Sequence, residues 1–118
     1  MALPWVRLET TWPSNPKFLM LSADRKWHAI AVYMAGLAWS GGQGQDGFIP
    51  FYALPAILGS PREADELCQV RLWYPCDGGW QINDWNEYQP SSEEHALRSK
   101  KARDAALYRW HGKNGRMR

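Results

Sequence analysis

Apolar positions along this 118-residue chain change their spacing several times, and each change predicts an element. Trp27, Ile30, Met34 and Leu37 recur at the i, i+3, i+7 interval of one helical face, predicting a helix from Ala23 to about Trp39 with Ser22 as its cap. Ala29, Val32, Tyr33 and Gly36 make its other sides apolar too, so this helix is expected at the centre of the core, with Gly36 allowing a close neighbour. Upstream, Asn15-Pro16 places a good cap before a proline suited to a first helical position, predicting a short helix from Pro16 to Leu21. Ser40-Gly-Gly-Gln-Gly-Gln45 is expected to be a flexible loop, because glycine loses most backbone entropy on ordering.

From Asp46 to Trp85 the pattern shortens. Gly47 to Pro50 reads as a strand, and Phe51, Leu54 and Leu58 give a brief helical face that tolerates Pro55 only if the helix begins near Tyr52. Gly59 stops it. Ser60-Pro61-Arg62-Glu63 is a capping box with proline at the first helical position, opening a helix to about Arg71. Ala64, Leu67, Cys68 and Leu72 are expected to face the core, leaving Arg62, Glu63, Asp65, Glu66 and Gln69 to solvent. Arg71–Tyr74 and Trp80–Asn83 flank Asp77-Gly78-Gly79, a hairpin signal. Trp80 and Trp85 are expected near opposite ends of the returning strand, on opposite faces, with core packing against Trp27 and Trp73 favoured. Pro90 then breaks the chain. Ser91 or Ser92, with Glu94 completing a second capping box, starts a last helix to about Trp110, and Gly112–Arg118 is expected to fray.

A strand, two short helices and a hairpin in that order suggest an α+β winged helix-turn-helix with a small antiparallel sheet and an extra C-terminal helix. The expected organisation is a winged-helix domain over residues 1–90 and a basic helix and tail over 91–118.

Charge sharpens that division. Residues 1–90 carry six Lys or Arg against nine Asp or Glu, a net −3, while 91–118 carry eight against three, a net +5. A basic arm on a mildly acidic body fits phosphate binding, since each neutralised phosphate releases condensed counterions. Lys100, Lys101, Arg103, Arg109, Lys113, Arg116 and Arg118 are the expected phosphate contacts. On the capped helix, Arg62 could read guanine O6 and N7 through its bidentate fork, and Gln69 adenine N6 and N7.

Other chemistry finds little support. Cys68, Cys76, His95 and His111 lack the close paired spacing of a structural zinc site, so neither metal nor cofactor is expected. The glycine-rich loop lacks both the flanking elements and the Gly-Lys-Ser/Thr of a nucleotide cradle. No nucleophile-base order or paired-carboxylate motif stands out, and no catalysis is expected. Both cysteines are expected to be reduced. The longest apolar run, Ala29 to Trp39, falls short of a membrane span, so no membrane association is expected.

Trp5-Val-Arg-Leu8, Asn15-Pro-Lys17, Asp46-Gly-Phe-Ile-Pro50, Leu72-Trp73, Gly79-Trp-Gln-Ile-Asn-Asp-Trp85 and Tyr88-Gln-Pro-Ser91 together resemble small bacteriophage winged-helix proteins. The likeness is to the N-terminal domains of phage replisome organisers and replication initiators, over roughly residues 5–95. It implies binding of double-stranded DNA at an origin or regulatory site. The host cytoplasm is the expected compartment, and a host or phage replication protein and a second copy in a homodimer are further expected partners. Such proteins often continue into a second domain; here one basic helix follows, so helicase loading is not expected. Acidic Glu63, Asp65 and Glu66 support an alternative, a phage adaptor or inhibitor that grips a host protein through helix 61–71 and exposed aromatics.

Overall fold

Two short-range signals build the N-terminal end. The Asn15 side chain accepts from the Lys17 amide at 2.9 Å, and Pro16 follows as the first residue of α1, Pro16–Ala23. The computed structural model describes residues 2–89 and 92–116, with side chains at 92, 95 and 108–116 outside the description. Ser22 lies inside α1 rather than capping the next helix. Arg25 takes a left-handed turn at φ 58, and α2, Trp27–Gly42, starts two residues later without a side-chain cap.

Helix α2 runs through the middle of the molecule, on a different face from the one its spacing suggested. Ala29, Val32, Gly36, Leu37 and Ser40 are buried, Ile30 and Met34 are half-buried, and Trp27 is 59% exposed at the first turn. A helix that is apolar all round leaves periodicity nothing to choose between, and its neighbours decide. Gly36 does allow a close neighbour: its missing β-carbon would stand 3.1 Å from Trp73 Cζ2.

The glycine-rich stretch also departs from expectation, since α2 continues through Ser40, Gly41 and Gly42. Gly41 is buried where Val6 and Trp85 press close, and its carbonyl accepts from the Leu3 amide at 2.8 Å. Ser40 stitches the helix to the next strand. Its hydroxyl accepts from the Gly47 amide at 2.8 Å and donates to the Phe48 carbonyl at 3.1 Å. Packing and two hydrogen bonds therefore offset the entropy that glycine costs.

Strand β1, Phe48–Pro50, leads into a 3-10 helix, Phe51–Ile57, and then α3, Pro61–Gln69. The 3-10 helix buries Ala53, Leu54 and Ile57; Phe51 and Leu58, expected on its core face, are 59% and 73% exposed. Leu58 adopts φ 62 as the chain turns toward α3. Beyond α3, β2 (Trp73–Cys76) and β3 (Gly79–Ile82) form the hairpin, two residues later at its first strand than expected. Cys76 pairs with Gly79, so Asp77-Gly78 is the whole tip, and Gly78 supplies the positive φ of 83.

The sheet is antiparallel in the order β1-β3-β2, with Ile49 opposite Trp80 and Trp73 opposite Ile82. Those four side chains alternate onto the core face, where α2 and α3 cover them. Trp80 stacks 6.0 Å from Trp73 and meets Phe51 edge-on at 5.0 Å; exposed Trp27 takes no part in this cluster. Trp85 is buried as well, but it opens a short helix, α4 (Trp85–Tyr88), instead of ending the strand.

Last comes α5, Ser92–Arg116, whose backbone is helical through Gly112 and beyond Trp110, where fraying was expected. Ser91 of the second capping box lies outside the described residues. The architecture is thus α+β: helices packed around one small three-stranded antiparallel sheet. Among the described residues, no helix is long and apolar enough to cross a membrane.

Candidate nucleic-acid interface

The capping box that the sequence announced at Ser60 decides which charges α3 displays. Both halves form, the Ser60 hydroxyl accepting from the Glu63 amide and the Ser60 amide donating to Glu63 Oε1 at 2.9 Å, and the hydroxyl also donates to that oxygen at 2.8 Å. Glu63 is therefore buried, not solvated, with His28 Nε2 3.8 Å from its carboxylate. That ring also sits 2.7 Å from the Leu58 carbonyl, tying the start of α2 to the turn before α3. Glu66 is half-buried, 4.0 Å from Lys26 Nζ.

What remains on the outer stripe of α3 is Arg62, Asp65 and Gln69, all exposed. Three- and four-residue steps place them in one row, with Arg62 and Gln69 about 10 Å apart along the axis. Asp65 stands between them. A carboxylate there repels phosphate but can accept from cytosine N4, so the row has a donor fork, an acceptor and an amide. Burial, with Asp65 secondarily, pushes the Cys68 thiol above its ordinary value; Cys68 and Cys76 are both free.

The hairpin follows directly. Tyr74 and the tip residues Asp77 and Gly78 are exposed, and the Arg71 carbonyl before β2 accepts from Lys17 Nζ at 3.2 Å and Asn83 Nδ2 at 3.1 Å. These bonds fix the path from α3 into the hairpin.

On α5, Lys100, Lys101 and Arg103 are exposed. Arg109, Lys113 and Arg116 continue the helical backbone, but their side chains, like those of His95 and His111, are outside the described residues, as is Arg118. The structure thus brings Arg62 and Gln69 together on α3 and leaves Lys100, Lys101 and Arg103 on a separate element.

Sequence reasoning missed a second feature, a half-open groove of about 540 Å³ between the N-terminal segment, α1, α2 and α4. Trp12, Phe18 and Tyr33 form a ladder of edge-on rings, each centroid 5.2 Å from the next. Glu9, Asp84, Glu87 and Tyr88 also line it. Burial first, then Tyr88 and Asp84, pushes the Tyr33 phenol up to about 12; Glu87 and Glu9 lead in raising exposed Tyr88. The wall is closed by Gln89, whose side chain accepts from the Arg7 amide and donates to the Arg7 carbonyl, both at 2.7 Å. Trp85 Nε1 is buried without a partner. Only the Asp84-x-x-Glu87-Tyr88 cluster hinted at the groove, because its walls come from separate segments.

No family model, curated protein or solved structure matches this chain.

Proposed function

We propose that the chain is a winged helix-turn-helix protein of phage type that binds duplex DNA, acting in replication initiation or transcriptional control in the host cytoplasm. The supporting architecture is the succession α2, β1, 3-10 helix, α3, β2–β3, in which α3 is the recognition helix and the hairpin the wing. One observation carries the reading over its rival. Glu63 and Glu66, two of the three carboxylates that an acidic docking helix would need, are engaged by Ser60 and Lys26, so α3 offers Arg62, Asp65 and Gln69 outward.

In this mechanism, residues 91–118 capture the phosphate backbone electrostatically, and the body over residues 1–90 follows with α3 and the Asp77-Gly78 tip in the grooves. Lys100, Lys101 and Arg103 supply affinity without sequence choice, together with Arg109, Lys113, Arg116 and Arg118; Arg62 and Gln69 supply base contacts. No cofactor enters. Exposed Phe51 and Tyr52 on the 3-10 helix, with Leu58 just after it, favour a second reading, an adaptor that grips a host protein through apolar contacts.

The test is a salt titration of duplex binding by the intact chain and by Lys100→Ala/Lys101→Ala/Arg103→Ala. Binding weakens in the variant, and the slope of log K against log salt flattens by roughly one unit per lost phosphate contact. An unchanged slope removes α5 from the interface. No duplex binding at low salt, with retention of one host polypeptide through the 3-10 helix, would replace DNA binding with the adaptor.

A further inference from the structure

The groove and α5 complement one another. Among the described residues, none of the groove carboxylates Glu9, Asp84 and Glu87 has a cation within salt-bridge distance. Glu9 has only the Thr11 hydroxyl, at 3.5 Å. Of the two cations that line the groove, Lys17 turns its ammonium onto the Arg71 carbonyl and Arg7 is held through its backbone. The acidic field shows in the exposed Tyr88 phenol, which Glu87 and Glu9 raise above its ordinary value. Carboxylates beside the faces and edges of aromatic rings suit a lysine ammonium or a guanidinium, which gains Coulomb and cation–π attraction at once.

Helix α5 carries such groups. Its 25 residues span about 37 Å, and the molecule measures 68 × 31 × 20 Å, so the helix stands away from the body. Lys100 through Leu107 are exposed throughout, with Leu97 and Leu107 apolar at 53% and 56% exposure. A helix this polar gains little from packing on its own chain, and it leaves Lys100, Lys101 and Arg103 in solvent.

We infer that two copies associate reciprocally, each laying the Leu97–Leu107 stretch of α5 in the other's groove, with Lys100, Lys101 and Arg103 against Glu9, Asp84 and Glu87. Such an exchange closes on itself as a twofold dimer, leaving no groove open for a third copy. The inference does not rest on DNA binding, although the same cations would serve both, so duplex DNA and the second copy compete for them.

Sedimentation velocity of the full chain without nucleic acid tests it, over a concentration series at low and high salt, with circular dichroism to verify folding. The wild type shifts from monomer to dimer as concentration rises, and salt reverses the shift. Glu9→Lys/Asp84→Lys/Glu87→Lys and, separately, Lys100→Glu/Lys101→Glu/Arg103→Glu are each monomeric; mixed in equal amounts they form a heterodimer, because each reversed helix then meets a reversed groove. A wild type that stays monomeric, a dimer indifferent to both reversals, or reversed chains that fail to combine would overturn the inference. A monomer that changes shape but not mass on charge reversal would place α5 in its own groove, and overturns it as well. Because no nucleic acid is present, failure here leaves the DNA reading standing.

Discussion

Helix α2 buries Ala29, Val32, Gly36, Leu37 and Ser40 among its neighbours, whereas α5 leaves every described side chain from Lys100 to Leu107 in solvent. The two owe their shape to opposite causes. α2 contains five glycine or β-branched positions and lacks a side-chain cap, so its intrinsic propensity is modest and tertiary packing holds it. α5 is rich in Ala, Lys, Arg, Leu and Glu, which favour a helix without outside help. The difference separates two kinds of helix: one that belongs to the fold and one that extends its reach. Substitutions in the two should therefore be felt in different measurements.

The sharpest way to break this contrast is to remove what holds α2. Trp73→Ala deletes the indole lying against Gly36 and Trp80 and is expected to cost about 3–5 kcal/mol in a urea melt. A loss under about 1 kcal/mol would mean that α2 does not depend on the sheet.

A smaller effect sits on α2 itself. Because the Tyr33 phenol is raised from 10 to about 12, the folded chain keeps a proton that the unfolded chain releases. The stability it contributes is intact below pH 10 and is lost as pH climbs from about 10 toward 12. Between about pH 9 and 11 the wild type should lose about 1 kcal/mol more than Tyr33→Phe. Parallel losses in the two chains would show that the groove does not perturb this phenol.

The smallest stability change is expected on α5. Lys100→Ala/Lys101→Ala/Arg103→Ala should move the melt by less than about 0.5 kcal/mol, whatever it does to the proposed DNA binding. A loss above about 1 kcal/mol in dilute protein would show that these side chains are packed.

How much could be read from residues alone follows the same division. Ser60-Pro61-Arg62-Glu63 and Asp77-Gly78 announced a helix start and a hairpin tip because their physics is complete within four residues. The buried face of α2 was hidden, since with apolar residues on every side only Ile49, Trp73 and Ile57 could select it. Ser40–Gly42 read as loop because the bonds to Gly47 and Phe48 and the contact with Val6 lie elsewhere in the chain. Of the candidate interface, the charges of Arg62, Lys100, Lys101 and Arg103 and the amide of Gln69 were legible, and their exposure followed. The concealment of Glu63 was not: the capping box implied its bond to Ser60, but not how deeply that bond would bury it. The groove had no signal beyond the Asp84-x-x-Glu87-Tyr88 cluster, as it exists only once the N-terminal segment meets α4.

That meeting depends on Gln89. Its amide pairs with both backbone groups of Arg7, 82 residues away, and so fastens one groove wall to the other just before the chain departs toward α5. A clasp of this kind makes the first and last parts of the body a single mechanical unit. A pull on the outlying helix would be felt at the Arg7 backbone before it reached the sheet.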